Sequence, residues 1–156
     1  MEFIGGMNAE TGLSRLRAIG TEIHQIGQEG SRLEAQVLAE VLPEGKRHVR
    51  GTFDATPPAP GQEHAAHCAW HTNNVIEAHT FNSGRGLFEF WADEGPMGVI
   101  LESGDLLVNR GAEHRFLPLE NQQLRLRHSG DVDGDFGYVD TGRSPMPWPD
   151  LPELGS

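Results

Sequence analysis

The sequence is short of cysteine, of basic residues and of long apolar runs, and each shortage excludes something. Cys68 is the only cysteine in 156 residues, so no disulfide can form within the chain. That suits a reducing compartment, and a cytoplasmic location is expected. Lys and Arg number 12 against 23 Asp and Glu, a net charge of −11. Nucleic acid and anionic membranes both reward clustered positive charge, so neither is an expected partner. No apolar run reaches the roughly 18 residues that a membrane span needs. The opening residues, Met1-Glu2-Phe3-Ile4-Gly5-Gly6-Met7, lack the basic and long apolar regions of a secretion signal. Tyrosine is also scarce, with one residue, whereas histidine numbers eight. Five histidines (His64, His67, His71, His79 and His114) fall near two short motifs. Clustering of this kind hints at metal.

A chain of this length fits one domain with its own core. Residues 1–50 read as N-terminal helical and strand elements, 64–140 as a β-barrel core, and 143–156 as an extended proline-rich tail. Leu13, Leu16 and Ile19 recur at helical spacing within residues 8–19, and Gly20 is a stop signal. Thr21 to Ile26 reads as a short strand. Ser31-Arg32-Leu33-Glu34 is a capping box. The helix it opens carries Leu33, Val37, Leu38, Val41 and Leu42 on one stripe, and Pro43 ends it. Three prolines and a glycine make residues 54–63 a loop. Short strands are then expected at 67–72, 75–81, 86–92, 97–101, 105–109, 114–117, 123–128 and 136–139. Many short strands at this spacing predict a β-sandwich or barrel. The acidic run at 131–135 lacks the later bidentate Glu of a calcium loop and reads as a turn. Trp148 is the expected anchor of the tail.

The first motif is His71-Thr72-Asn73-Asn74-Val75-Ile76-Glu77-Ala78-His79. The second is Gly104-Asp105-Leu106-Leu107-Val108-Asn109-Arg110-Gly111-Ala112-Glu113-His114. Side chains alternate along a strand, so His71, Asn73, Glu77 and His79 point to one side wherever the strand is regular. A separate strand delivers His114. Imidazoles with a carboxylate, and positions left for substrate and water, describe a non-haem Fe(II) oxygenase site. Nickel, manganese, cobalt or zinc would suit the same donors.

These motifs resemble the cupins, and within them the acireductone dioxygenases. The similarity runs without a gap from His71 to Leu87-Phe88 and on to Glu102-Ser103-Gly104-Asp105. A one-residue deletion precedes His114-Arg115-Phe116. Leu16 to Gly20, the helix at 31–42, Arg127 and the Asp133-Gly134 turn are also similar to elements of that family. The resemblance implies a mainly β chain: a double-stranded β-helix, or jelly-roll barrel, with two short N-terminal helices. It places the metal ligands at His71, Asn73, Glu77 and His114. Asn73 departs from the family's second His, since an amide is a poor ligand here. His79 stands where the family commonly has an Arg that holds an anionic substrate. His79 shares a face with Glu77, so the expected ligand set becomes His71, Glu77, His79 and His114.

The resemblance implies a metal-dependent dioxygenase that oxidises a small chelating substrate with O2. Fe(II) is the expected metal, with Ni(II) as the alternative. Glu77 or His79, whichever is not a ligand, would move protons. Asn73, Phe88 and Arg127 are the expected substrate contacts. The lost Arg weakens the family's usual substrate, and a small thiol such as cysteine is one replacement. A non-oxygenase cupin, whether isomerase, lyase or small-molecule binding module, is the alternative. Cupins often pair through sheet edges, which allows for a homodimer.

Overall fold

Two capped helices precede most of the sheet structure. The computed structural model describes residues 1–42, 48–62, 68–93, 95–129, 138–144 and 146–149, with backbone only at 48 and 49. His64, His67, the turn at 131–135, the first residues of the strands expected at 67–72 and 136–139, and the end of the tail lie outside these. Helix α1 (Ala9–Ala18) starts at Asn8, whose Oδ1 accepts from Thr11 N at 2.9 Å. Helix α2 (Arg32–Val41) starts at Ser31, whose Oγ accepts from Glu34 N at 3.1 Å. The Glu34 carboxylate reaches back to Gly30 N, one residue further than the capping box predicts. The buried line of α2 is Glu34, Val37 and Val41. Leu33 is 44% exposed, because Glu34 takes the inward position of the first turn to meet Arg127.

The described residues form eleven strands: β1 (Glu2–Phe3), β2 (Thr21–Gln25), β3 (His48–Ala55), β4 (His71–Thr72), β5 (Ile76–Ser83), β6 (Gly86–Ala92), β7 (Gly95–Leu101), β8 (Asp105–Asn109), β9 (His114–Pro118), β10 (Gln122–Ser129) and β11 (Val139–Asp140). They form two antiparallel sheets. One runs β1-β7-β6-β9-β4-β11 and the other β2-β8-β5-β10-β3. The inward faces pack Phe81, Phe88, Phe90, Val99, Leu107 and Leu124 into one core. A second cluster, with Leu106, Val108 and Ile26, lies under Val37 and Val41 of α2. Residues on β8 therefore alternate between the two clusters, as the pleat requires.

Strands β1 and β3 were not expected. β3 alternates only weakly in sequence, with Gly51 at one of its positions, and its pairing to all of β10 supplies what its pattern lacks. It also takes Asp54 and Ala55 out of the expected loop. Phe3 of β1 covers α1 at Gly12, where an added Cβ would stand 2.5 Å from the ring. Gly84 turns β5 into β6 at φ +77°, and a Cβ there would meet Asn121 O at 2.2 Å. Among the described residues no helix is long and apolar enough to cross a membrane.

The tail packs where Trp148 predicts. The Arg115 guanidinium lies 3.7 Å from the Trp148 ring centroid and 5.0 Å from that of Trp70. Its Nε donates to Glu89 Oε1 at 2.8 Å, and Nη1 donates to Met146 O at 2.8 Å.

Candidate metal centre

Strand register brings the titratable residues together from both sheets. On β5, Glu77 is opposite His128 of β10 on one side and Asn109 of β8 on the other. His79, two residues on, shares the inward face. In the facing sheet His71 of β4 is the cross-strand neighbour of His114 of β9. The rings of these two have centroids 4.3 Å apart. His71, Glu77, His79, His114 and His128 all line one cavity of about 170 Å³. Its other walls are Phe53, Phe88, Phe116, Leu124 and Leu126.

Glu77 is the hub. Its Oε1 lies 3.8 Å from His79 Nε2 and 3.5 Å from His128 Nε2. The two imidazole nitrogens are 3.5 Å apart. Its Oε2 lies 3.6 Å from His114 Nε2. Donors about 2.1 Å from a common ion stand roughly 3.0–3.4 Å apart when adjacent. Glu77, His79 and His128 approach that spacing, with one donor atom from each lying within 4.8 Å of the others. His79 Nδ1 is buried with no hydrogen-bond partner, so that ring is aimed by its Nε2 contacts alone. The donor set therefore fits a divalent ion. The expected set of four is brought into one cavity, but the tightest cluster there is Glu77, His79 and His128, which leaves out His71 and His114.

Hydrogen bonds fix which atoms face inward. His71 Nδ1 donates to Ala69 O at 2.7 Å, and His114 Nδ1 donates to Ala112 O at 2.8 Å. Each ring thus keeps its basic Nε2 for the cavity. His71 also stacks on Tyr138, with centroids 4.7 Å apart. Asn73 does not line the cavity. Its side-chain amide is buried and donates to Glu77 Oε1, so it positions the carboxylate rather than meeting a substrate. Asn109 Nδ2 approaches Glu77 Oε2 at 3.4 Å from the other side.

Burial pushes His79 down to about 4, although Glu77 opposes the shift. Burial also takes His71 down to about 4, helped by His114. Burial by itself would raise the Glu77 carboxyl. The hydrogen bond to His128 and the imidazoles of His114 and His79 outweigh it and hold Glu77 well below the usual carboxylate range. At neutral pH the cavity thus holds a carboxylate with neutral imidazoles at 71 and 79, the forms that ligate metal.

Phe88 lines the cavity, stacked on Phe116 with centroids 4.6 Å apart. Arg127 does not. It points through the other face of the sheet, where Nη2 donates to Glu34 Oε1 at 2.9 Å and Nη1 donates to Thr80 Oγ1 at 3.3 Å. The reason is parity. In Leu124-Arg125-Leu126-Arg127-His128 the apolar positions face the core, so His128 faces it too and both arginines face out. That alternation was the available signal for His128, the residue that motif spacing overlooked.

No family model matches the chain, and no curated protein matches it. Solved structures do. An acireductone dioxygenase from Bacillus anthracis, with a cadmium ion in its active centre, is 17% identical with a TM-score of 0.55; the match covers 82% of this chain and 90% of that one. A point mutant of Bacillus subtilis oxalate decarboxylase is 14% identical with a TM-score of 0.44, over 78% of this chain and 27% of that one. The first of these shows the architecture: this chain has the cupin fold, two antiparallel sheets closed over an inward-facing site.

Proposed function

We propose that this chain is a metal-dependent dioxygenase that oxidises a small chelating substrate with O2. One observation carries the reading: Glu77, His79 and His128 present one carboxylate and two imidazole donors at close range inside an apolar cavity. Two histidines and one carboxylate with open positions form the facial triad of non-haem iron oxygenases. Fe(II) is the favoured metal and Ni(II) the alternative. A bound ion would supply Lewis acidity and positions for substrate and O2. The chain itself does the rest. Asn73 and Asn109 hold the Glu77 carboxylate from opposite sides. His114 Nε2 faces the same cavity from the opposite sheet, 3.6 Å from Glu77 Oε2 and outside the triad. Phe88, Phe116 and Leu124 keep bulk water from the inner wall.

Metal analysis of the purified chain, followed by oxygen uptake of the Fe(II)- and Ni(II)-loaded protein, tests the reading. Enediols, thiols and β-dicarbonyls are the substrates to offer. Bound iron or nickel with substrate-dependent oxygen consumption is expected. A zinc-only protein that consumes no oxygen with any of them would favour a non-oxygenase cupin instead.

A further inference from the structure

We infer that the ligand of this cavity is a bidentate chelator that binds as a monoanion and carries an apolar body. The inference rests on the metal reading above and adds to it the charge and shape of the substrate. Charge comes first. Ligating imidazoles are neutral, so a divalent ion with Glu77 leaves a site of +1. One negative charge from the substrate brings the buried site to zero. A second would stand uncompensated against Phe and Leu side chains, where burial of a lone charge is strongly unfavourable.

No guanidinium or ammonium group among the described residues meets that second charge. Among the described residues no Lys or Arg lines the cavity. Arg127 is turned to the far face of the sheet and engaged by Glu34 and Thr80. Arg125 pairs with Glu29, also on the outer side. Arg115 is engaged by Glu89 beneath the tail. An enediolate or oxalate, each with two charges, therefore fits poorly. Free cysteine would fit poorly too: held by its thiolate and amine, it would leave its carboxylate against an apolar wall. Shape comes second. Beyond the donors the lining is Phe53, Phe88, Phe116, Leu124 and Leu126, which offer contact to an aryl or alkyl group and no hydrogen-bonding side chain.

The test uses the full chain loaded with Zn(II), so that binding is read without turnover. Calorimetry compares acetylacetone, benzoylacetone, oxalate and cysteine, each against free Zn(II) in the same buffer. The protein-bound ion is expected to favour acetylacetone over oxalate and over cysteine at least 10-fold more than free Zn(II) does. Benzoylacetone is expected to bind at least 10-fold tighter than acetylacetone. Leu126→Arg should shift the preference back toward oxalate by a similar factor. Phe53→Ala, at a residue 38% exposed, is the milder variant and should shrink the benzoylacetone advantage several-fold. Zinc bound with the free-ion order of ligands would overturn this inference and leave the metal reading standing. A chain that takes up no zinc would overturn both.

Discussion

Glu77 on β5 and His128 on β10 face each other directly across an antiparallel pair, with His128 Nε2 3.5 Å from Glu77 Oε1. The motif-based ligand set instead joins Glu77 and His79 to His71 and His114 of the opposite sheet. The two arrangements rank substitutions differently. His128→Ala and His79→Ala are each expected to lower metal affinity at least 10-fold, and His71→Ala to lower it less. Asn73→Ala should retain the metal with affinity reduced about 10-fold, the usual cost of freeing a ligand's hydrogen-bond partner. Competition with a chelating dye, read alongside metal content, measures all four. A larger loss for His71→Ala than for His128→Ala would return the ion to the motif-based position.

Much of this arrangement was legible in the sequence, and the exceptions share one cause. The helices at 9–18 and 32–41 and the strands from 76 to 129 follow local periodicity and capping. His71, Glu77, His79 and His114 could be placed at one cavity because each lies in a short motif with a turn nearby. His128 and Arg127 could not be placed by spacing, since which of them faces inward depends on the phase of β10 against its partners. Leu124 and Leu126 carried that phase. β3 was hidden for a related reason: Gly51 breaks its pattern, and only its pairing with β10 makes it a strand. Long-range pairing decides what local pattern leaves open.

The low values at His71 and His79 make the metal-free protein sensitive to mild acid. Both fall from the usual 6.5 to about 4. The unfolded chain therefore binds protons between those values while the folded chain does not. Stability is intact above pH 6.5 and falls as pH drops toward 4, by something on the order of a few kcal/mol. Glu77 is depressed as well, so it adds its own loss only from about pH 4 downward. Urea unfolding of the metal-free protein at pH 7 and pH 4.5 checks this. Replacing both histidines by Gln should flatten the dependence in that window.

Glu34 and Arg127 tie α2 to the outer face of the barrel through a buried ion pair at 2.9 Å. Removing one partner strands the other charge, so Glu34→Ala is expected to cost about 3–5 kcal/mol. Replacing both by apolar residues of similar size, Glu34→Leu with Arg127→Met, should recover most of that loss. The readout is chemical denaturation of the two single variants and the double variant. Metal content should not change in the double variant, since Arg127 does not reach the cavity. A double variant that folds but cannot hold metal would place Arg127 back among the site residues.

Arg115 is held in the barrel by the Glu89 ion pair and reaches the tail through the Met146 carbonyl and the Trp148 ring. A guanidinium stacked on an indole in a partly buried setting contributes about 1–2 kcal/mol. Trp148→Ala is thus expected to lower unfolding stability by about that amount. Arg115→Ala should cost more, because Glu89 would be left buried without its partner; burial already raises the Glu89 carboxyl against the pull of Arg115. Arg115→Lys keeps the charge but loses the planar stack, and should fall between the two. Thermal melts of the three variants give the order directly. If Trp148→Ala melts with the wild type, the indole stack contributes nothing to stability, and the Arg115 contribution rests on Glu89 and the tail carbonyl at Met146.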